Sequence, residues 1–358
     1  MTQKNLITLG IVAAALAGTA YFTSSSKKMK APSLVGKPVL QAFDLSEIAK
    51  IEAGANDGKK LVLASTDDGW SIQSLYGYPA DIAKIRENLL KLKDLKAGHV
   101  ASGKKLENPG LIDLQNAAGK SLATLRLGEK HIRQPSGEMA QFGGGGYPDG
   151  RYVAGDGSDT VVLVKETLEA FDGDPKSWTD SQIVAVTSSD VTAIELTRDG
   201  NTASLAKKDG AWTLDGLGEK EEFDTSKSYG VESALSYLHF NTVADPALTE
   251  EQLGMATGAV FKVSLKTGES YTAKIGQTAE GTSDRYFKIS AAFSPASTNA
   301  TENASLEKKV ADFNVKSGKW TYTIASYSAD NMTKIRADFV KTKEAPKEDE
   351  NRTNEPVN

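Results

Sequence analysis

The stretch spanning residues 67–95 recurs later in the chain, and an internal repeat of this kind decides how the whole chain must be divided. Both copies place a tryptophan just after an acidic turn, then an aspartate, then a stripe of apolar residues. The landmarks are Trp70 and Asp81 in the first copy and Trp212 and Asp224 in the second. This order predicts a strand that ends at the tryptophan, a loop, and a helix whose first turn is capped by the aspartate.

The apolar residues after each aspartate recur at spacings of three and four, as on one face of an amphipathic helix. The first stripe predicts a helix over residues 82–95, and the second predicts another helix after Asp224. The stripes consist of Ile82, Ile85, Leu89 and Leu92 in the first copy and of Val231, Leu235 and Leu238 in the second.

Turn residues between short apolar runs predict antiparallel hairpins on either side of these helices. Such turns stand at 56–58, 118–120, 199–201 and 267–269. Too little helix separates the strands for parallel crossovers. The predicted fold class is therefore α+β, with two tandem repeated modules after an N-terminal transmembrane helix. Each module is expected to be an antiparallel sheet packed with one long helix.

These patterns divide the chain into six predicted segments. They are an N-terminal anchor (1–26), a linker (27–42), repeat module 1 (43–187, with a Gly-rich insertion at 134–150), repeat module 2 (188–295), a closing segment (296–342) and a disordered tail (343–358). The tail is predicted to be disordered because its Glu, Lys, Asn and Pro residues cannot bury enough apolar surface to fold.

The N-terminus carries the clearest signal of location. Residues 6–22 are almost wholly apolar and follow Lys4. This segment is long enough to span a bilayer. An uncleaved anchor is favoured over a cleaved signal peptide because the sequence offers only a poor cleavage site. Lys27, Lys28 and Lys30 follow the segment and by charge alone favour a cytoplasmic C-terminal side, although large domains translocate largely regardless of such charges.

Composition excludes several classes of function. A net charge of −5 argues against a nucleic-acid partner, which would require a basic patch or stripe. The absence of cysteine excludes a disulfide scaffold, a thiolate metal site and a cysteine nucleophile.

No motif predicts a catalytic, cofactor-binding or metal-binding residue. The run 119–121 (Gly-Lys-Ser) resembles the end of a phosphate-binding loop, but it lacks the earlier glycine and the following helix, so a hairpin turn is preferred. His99, His131 and His239 show no metal-ligand spacing. Trp70 and Trp212 could form a sugar platform, but their equivalent positions in the repeat favour core packing at a strand end.

A glycine-rich insertion distinguishes the first copy from the second. The landmarks Gly128 and Arg151 are 23 positions apart, whereas Gly276 and Arg285 are 9 apart. The extra residues form the loop 134–150. Because loops on a rigid scaffold often carry binding function, a partner-contact loop is predicted. Its candidate contact residues are Met139, Phe142, Gly143, Gly144, Gly145, Gly146 and Tyr147.

Taken together, these landmarks resemble a bacterial family catalogued as domain of unknown function 4340. The resemblance rests on scattered residues over much of 43–340. They are Gly69-Trp70, Tyr78-Pro79-Ala80-Asp81, Leu89-Leu90-x-Leu92, Leu127-Gly128, Arg151-Tyr152-Val153, Trp320-x-Tyr-x-Ile, Asp330 and Arg336-x-Asp-Phe.

Members of that family are typically membrane-anchored and encoded beside ABC-type transporters of the gliding-motility kind. The resemblance therefore implies a non-enzymatic, extracytoplasmic (periplasmic) scaffold or accessory subunit, held in the bacterial inner membrane by a single span, with transporter subunits as partners. It supplies no catalytic residues. Two alternatives stay open: a cell-envelope module that binds a glycan or peptide through the glycine loop, and a hydrolase whose carboxylates meet only in the fold.

Overall fold

The computed structural model describes residues 34–54, 60–134 and 145–343. The chain forms two compact units. The first contains the described residues up to Lys60 together with those of Arg86–Gly173, and the second contains Leu61–Ile85 together with the described residues from Asp174 onward. This discontinuity, in which residues 61–85 belong with the later part of the chain, was not predicted from the sequence.

Strands dominate both units, and the α+β class is confirmed. The strands are β1 (Lys50–Gly54), β2 (Leu61–Thr66), β3 (Gly69–Ile72), β4 (Tyr78–Pro79), β5 (His99–Val100), β6 (Gly110–Gln115), β7 (Ser121–Arg133), β8 (Tyr147–Gly155), β9 (Val162–Val164), β10 (Gln182–Val184), β11 (Val191–Arg198), β12 (Asn201–Lys208), β13 (Ala211–Leu214), β14 (Glu221–Phe223), β15 (Leu238–His239), β16 (Thr242–Val243), β17 (Ala259–Leu265), β18 (Glu269–Thr278), β19 (Arg285–Phe293), β20 (Tyr322–Ile324) and β21 (Val340–Thr342).

Helices are fewer than strands in the described residues. The α-helices are α1 (Ile82–Lys93), α2 (Ser228–Glu232), α3 (Ala300–Phe313) and α4 (Ser326–Met332). Helix α3 continues as a π-helical turn at Asn314–Gly318. Short 3-10 turns lie at Leu45–Glu47, Gln73–Leu75, Glu169–Asp172, Pro175–Trp178, Ser188–Asp190, Thr225–Lys227 and Arg336–Phe339.

Six strands of the first unit form an antiparallel sheet in the order β1-β6-β7-β8-β9-β5. The β6–β7 hairpin closes at residues 116–120, where Asn116 Oδ1 accepts hydrogen bonds from the backbone amides of Ala118 and Lys120. Residues 119–121 are therefore part of a hairpin turn, as the sequence predicted, and a strand follows them instead of the helix that a phosphate-binding loop needs.

The second unit contains an eight-stranded antiparallel sheet in the order β13-β12-β11-β17-β18-β19-β20-β16. It also holds the meander β2-β3-β4 and two short strand pairs, β10 with β15 and β14 with β21. An aromatic cluster fills part of its core. Tyr78 packs at ring-centroid distances of 5.2 Å from Phe240, 5.0 Å from Trp320 and 6.2 Å from Tyr322.

Helix α1 follows the prediction except at its first residue. Asp81 Oδ1 accepts hydrogen bonds from the backbone amides of Ala83 at 2.8 Å and Lys84 at 3.3 Å, which is the predicted cap. Ile85, Leu89 and Leu92 are buried. Ile82, however, is 54% exposed, so its predicted place on the buried face is wrong. A helical side chain leans toward the preceding turn, and at the first position of a helix that turn does not exist.

The prediction of one long helix in each module is wrong for the second copy. Asp224 Oδ1 does cap a turn, accepting from the Ser226 amide at 3.1 Å, but helix α2 is only five residues long. Gly230 lies in its middle, and glycine costs about 1 kcal/mol relative to alanine inside a helix. The stripe is nevertheless buried: Leu235 lies beyond the helix end and Leu238 lies in β15.

The tryptophans of the repeat are not core residues. Trp70 and Trp212 are each half-buried, so they do not lie in the fully buried core, and their packing role at a strand end stays a prediction. Trp212 lies on β13, the last strand of its sheet, and its indole Nε1 donates to Glu232 Oε2 at 3.0 Å. A polar ring nitrogen is easily satisfied at such an edge. The fully buried tryptophan is Trp178, which the repeat pattern did not single out.

Among the described residues, no helix is long and apolar enough to cross a membrane. The predicted span 6–22 and the predicted tail from 344 onward lie outside these residues. The turn predicted at 56–58 does so as well.

Candidate partner-binding hairpin

The glycine-rich insertion joins β7 to β8, and its two ends pair as an extension of that hairpin. Arg133 stands opposite Tyr147, and Ile132 opposite Pro148. We call residues 130–134 and 145–150 the loop base. Of the predicted contact residues, Gly145, Gly146 and Tyr147 lie in the loop base, whereas Met139, Phe142, Gly143 and Gly144 lie outside the described residues.

A network of three charged or ionisable side chains braces the loop base from within. His131 Nδ1 lies 2.5 Å from Asp149 Oδ1, and Arg133 Nε lies 2.6 Å from Asp149 Oδ2. The hydrogen bond from His131, together with the charge of Arg133, lowers the pKa of the Asp149 carboxyl below its ordinary value. Two neighbours on one strand thus hold a single carboxylate on the other, which ties the two arms together across the ladder.

Behind this network, a second set of side chains connects β7 and β8 to the loop at residues 101–107. The Tyr152 ring lies edge-on to the His131 ring at 6.0 Å. Lys104 Nζ stands 4.2 Å from the centroid of the same tyrosine and 2.6 Å from Glu129 Oε1. The hydrogen bond to Glu129 raises the pKa of Lys104 above its ordinary value. The loop base therefore rests on a cation–π and ion-pair platform.

Two large apolar side chains of the loop base face solvent. Tyr147 is 51% exposed and Ile132 is 45% exposed. They lie on opposite faces of the ladder, because their cross-strand positions are adjacent and side chains alternate along a strand. Gly146 lies against the Arg133 carbonyl, which a Cβ at residue 146 would approach to 2.9 Å. Only glycine allows the chain to pass so close at that point.

The buried Arg151 side chain on β8 holds that strand to β7 and to the 3-10 turn Glu169–Asp172. Arg151 Nε donates to the Gly128 carbonyl at 2.8 Å, and its NH1 group lies 2.5 Å from Asp172 Oδ1. Gly128 lies where the β7–β8 register shifts, so the arginine satisfies a carbonyl that the ladder leaves free. Arg151 thus holds the bulge that precedes the insertion along β7.

The second unit contains the same bulge without the insertion. Arg285 Nε donates to the Gly276 carbonyl at 2.8 Å, and the β18–β19 register shifts after Ile275. The chain then turns within residues 279–284, where the Ala279 amide donates to the Asp284 carbonyl at 2.8 Å. The β18–β19 connection is therefore shorter than the β7–β8 connection, and the confinement of the insertion to one copy of a repeat stays a prediction.

The other two histidines weighed from the sequence lie on the short strands β5 and β15. His239 Nδ1 lies 2.9 Å from Ser181 Oγ, while His99 lies on β5. Within the described ranges, no group of three or more His, Asp or Glu side chains is placed to hold a metal ion. His131, Asp149 and Ile132 were missed as site residues because their meeting depends on the strand register, which the sequence does not reveal.

Comparison with curated proteins and with solved structures gives no match. A family comparison does give one. The sequence pattern of the family described as Domain of unknown function (DUF4340) matches residues 70–255, which is a little over half of the chain. The matched stretch begins at the tryptophan of β3 and includes the whole loop base as well as Trp212 and Asp224. The chain therefore belongs to the DUF4340 family.

Proposed function

We propose that this protein is a non-enzymatic, membrane-tethered scaffold or accessory subunit, which contacts a protein partner through the loop base and the insertion it carries. The observation behind the proposal is the pairing of exposed Tyr147 and Ile132 with a hairpin braced by His131, Arg133 and Asp149. A rigid support that presents exposed aromatic and aliphatic side chains is what a contact surface needs, because less side-chain and backbone entropy is lost on binding.

The proposed location follows from the apolar segment 6–22 and from family membership. We propose a single span in the bacterial inner membrane, with both units on the extracytoplasmic, periplasmic side. The partners would then be subunits of an ABC-type transporter of the gliding-motility kind. A large folded domain can be translocated regardless of the lysines that follow the segment.

We further propose that the two units contain copies of one duplicated module. The six-strand order β1-β6-β7-β8-β9-β5 of the first unit has the same sequential pattern as β11-β17-β18-β19-β20-β16 of the second. Both copies place an arginine on a glycine carbonyl at the same strand bulge. Superposing β1, β6, β7 and β8 on β11, β17, β18 and β19 should align Gly128 with Gly276, and failure to do so would refute the duplication.

Association is tested by cross-linking in intact membranes, solubilisation and recovery through a tag on the full chain. Recovery of ABC-type transporter subunits is expected. The double variant Ile132→Ser/Tyr147→Ser should recover much less partner at an unchanged melting temperature, since both side chains are already exposed. Leu111→Ser is the matched control, because Leu111 is 49% exposed on β6 of the same unit but lies outside the loop base.

The scaffold proposal fails if no transporter subunit is recovered after cross-linking, or if Leu111→Ser reduces recovery as much as the double variant does. Shortening the insertion to the length of residues 277–284 provides a second test. It should leave the melting temperature nearly unchanged and weaken association, since the second copy folds with a short turn at this place.

A ligand-binding module is the second candidate, because a recess opens beside the loop that supports Tyr152. The recess has a volume of about 530 Å³ and is lined in part by Lys104, Lys105, Arg126 and Asp159. A mixed-charge surface of this kind suits a polar glycan or peptide. Glycan-array and peptide-array binding by the full chain, lost in Arg126→Gln but retained in the loop-base double variant, would favour this candidate over the scaffold.

A further inference from the structure

Two lysines stand directly opposite each other in the sheet of the second unit. Lys274 on β18 pairs in register with Lys288 on β19, and the next pair on the same face is Thr272 with Ser290. Like charges at directly opposed positions destabilise a sheet. A cross-strand lysine pair therefore requires a compensating negative charge or a functional reason.

The four side chains line a small recess on the face of the sheet. Its volume is about 180 Å³, and Glu250, Ile289 and Gly318 complete the lining. At ~30 Å³ per water molecule, this space is enough for a tetrahedral oxyanion with some of its hydration. Asn314, in the π-helical turn that ends at Gly318, clamps that turn to β19: its Oδ1 accepts from the Ala291 amide at 2.9 Å and its Nδ2 donates to the Ala291 carbonyl at 2.8 Å.

The carboxylates around the recess only partly neutralise the two amines. Glu250 Oε1 lies 3.4 Å from Lys288 Nζ, which is a long and exposed pair. Among the described residues, no ion pair is formed by Lys274. Lys262 on β17 pairs with Thr272 on β18, so it lies on the same face and adds a third positive charge. On its other side, Lys262 pairs with Glu195 on β11. The lining of the recess thus contains two lysines and one carboxylate, so it keeps a net positive charge.

We propose that this recess binds a phosphate group, with Lys274 and Lys288 as the charged ligands and the hydroxyls of Thr272 and Ser290 as additional donors. Lysine binds phosphate as a compact point charge, and a hydroxyl can donate one hydrogen bond to a phosphate oxygen. The bound anion lies between the opposed amines and removes their repulsion. This site is independent of the loop base and of the proposed scaffold function.

The test is a calorimetric titration of the full chain with inorganic phosphate at constant ionic strength, with chloride as the comparison anion. Saturable binding is expected with phosphate only, together with a rise in melting temperature. In Lys274→Gln/Lys288→Gln the affinity should fall by at least about tenfold, since two charge-assisted hydrogen bonds are lost. Because the substitutions also remove a like-charge pair, the melting temperature without phosphate should not fall, which shows that the variant is folded.

Lys262→Gln is the matched control, because it removes the same charge from the same face without touching the lining of the recess. It should retain most of the affinity. The proposal is overturned if phosphate does not bind, if binding is not saturable, or if Lys262→Gln weakens binding as much as the double variant does. Each of the last two results would indicate diffuse screening of a basic surface, with an adventitious ion only.

Vesicles distinguish the two sources of a phosphate group. If the site takes a lipid headgroup, the full chain should bind added vesicles that contain phosphatidylglycerol more strongly than vesicles of phosphatidylcholine alone, and free phosphate should compete. If the site takes a soluble phosphate compound, calorimetric binding should persist while the two kinds of vesicle bind equally. In the first case the double variant must lose the vesicle preference, and in the second case it must lose calorimetric binding of phosphate. Retention of vesicle preference in that variant counts against the site.

Discussion

Arg151 donates a hydrogen bond from Nε to the carbonyl oxygen of Gly128 across 2.8 Å, at the point where β7 and β8 slip out of register. A buried carbonyl without a partner would be costly. The hydrogen bond from Arg151 therefore offsets the cost of the bulge. The bulge in turn sets the direction in which the hairpin leaves the sheet.

Arg151→Ala should lower the free energy of unfolding by about 2–3 kcal/mol, because it removes charge-assisted hydrogen bonds to Gly128 and Asp172 from a buried position. Arg285→Ala removes only the hydrogen bonds to the Gly276 carbonyl, from a less buried site, and should cost about 1 kcal/mol. Urea denaturation of both variants measures the difference. Equal losses would contradict the view that Asp172 gives the first clamp its additional strength.

Glu221 makes the stability of the second unit depend on pH. The hydrogen bonds from Arg336, with one from the Gly218 amide, lower the pKa of Glu221 from 4.5 to about 2. Because the folded-state pKa is depressed, this contribution is complete above pH 4.5 and is lost as the pH falls toward 2. The melting-temperature gap between the native chain and Glu221→Gln should therefore shrink over that interval. A gap that is independent of pH would refute the assignment.

Helix α1 should show a sharp contrast between two apolar positions. Leu92→Ala removes a fully buried side chain and should cost about 2–5 kcal/mol. Ile82→Ala changes a half-exposed side chain at the helix start and should cost under about 1 kcal/mol. Chemical denaturation of both variants measures the two changes in the free energy of unfolding. A large loss of stability in Ile82→Ala would mean that this side chain is covered in solution.

Asp149→Asn should loosen the loop base without unfolding the unit. The substitution weakens the bonds to His131 and Arg133, both of which lie at the outer end of the hairpin. Hydrogen exchange should become faster at residues 130–133 and 147–150 and stay unchanged at residues 123–127. If exchange rises throughout β7, the network supports the sheet as a whole and does not act as a local brace.

The hairpins were predictable because their turns are local. A run such as Asn116 to Gly119 contains its own capping oxygen and its own glycine, so nothing distant is needed to form it. Helix α1 was predictable for the same reason, since Asp81 and the stripe behind it are neighbours in sequence.

The failures fall where the local sequence pattern does not specify the structure. Helix α2 ends at Glu232, and the buried stripe that suggested a long helix is completed by a turn and a strand. Helix α3 was missed because its apolar spacing is confined to Leu306, Val310 and Phe313 near its end. The loop-base network joins His131 to Asp149 across a register with two shifts, and no local pattern specifies such a register.

The assignment of residues 61–85 to the second unit has a consequence for synthesis on the ribosome. The Asp81 amide donates to the Trp178 carbonyl at 2.7 Å, and Thr179 Oγ1 donates to the Pro79 carbonyl at 2.8 Å. At roughly 5–20 residues per second, β2, β3 and β4 emerge several seconds before the residues that complete their unit. During that interval they lack their contacts with residues from 174 onward, so we expect a holding chaperone to bind the nascent chain at this stage.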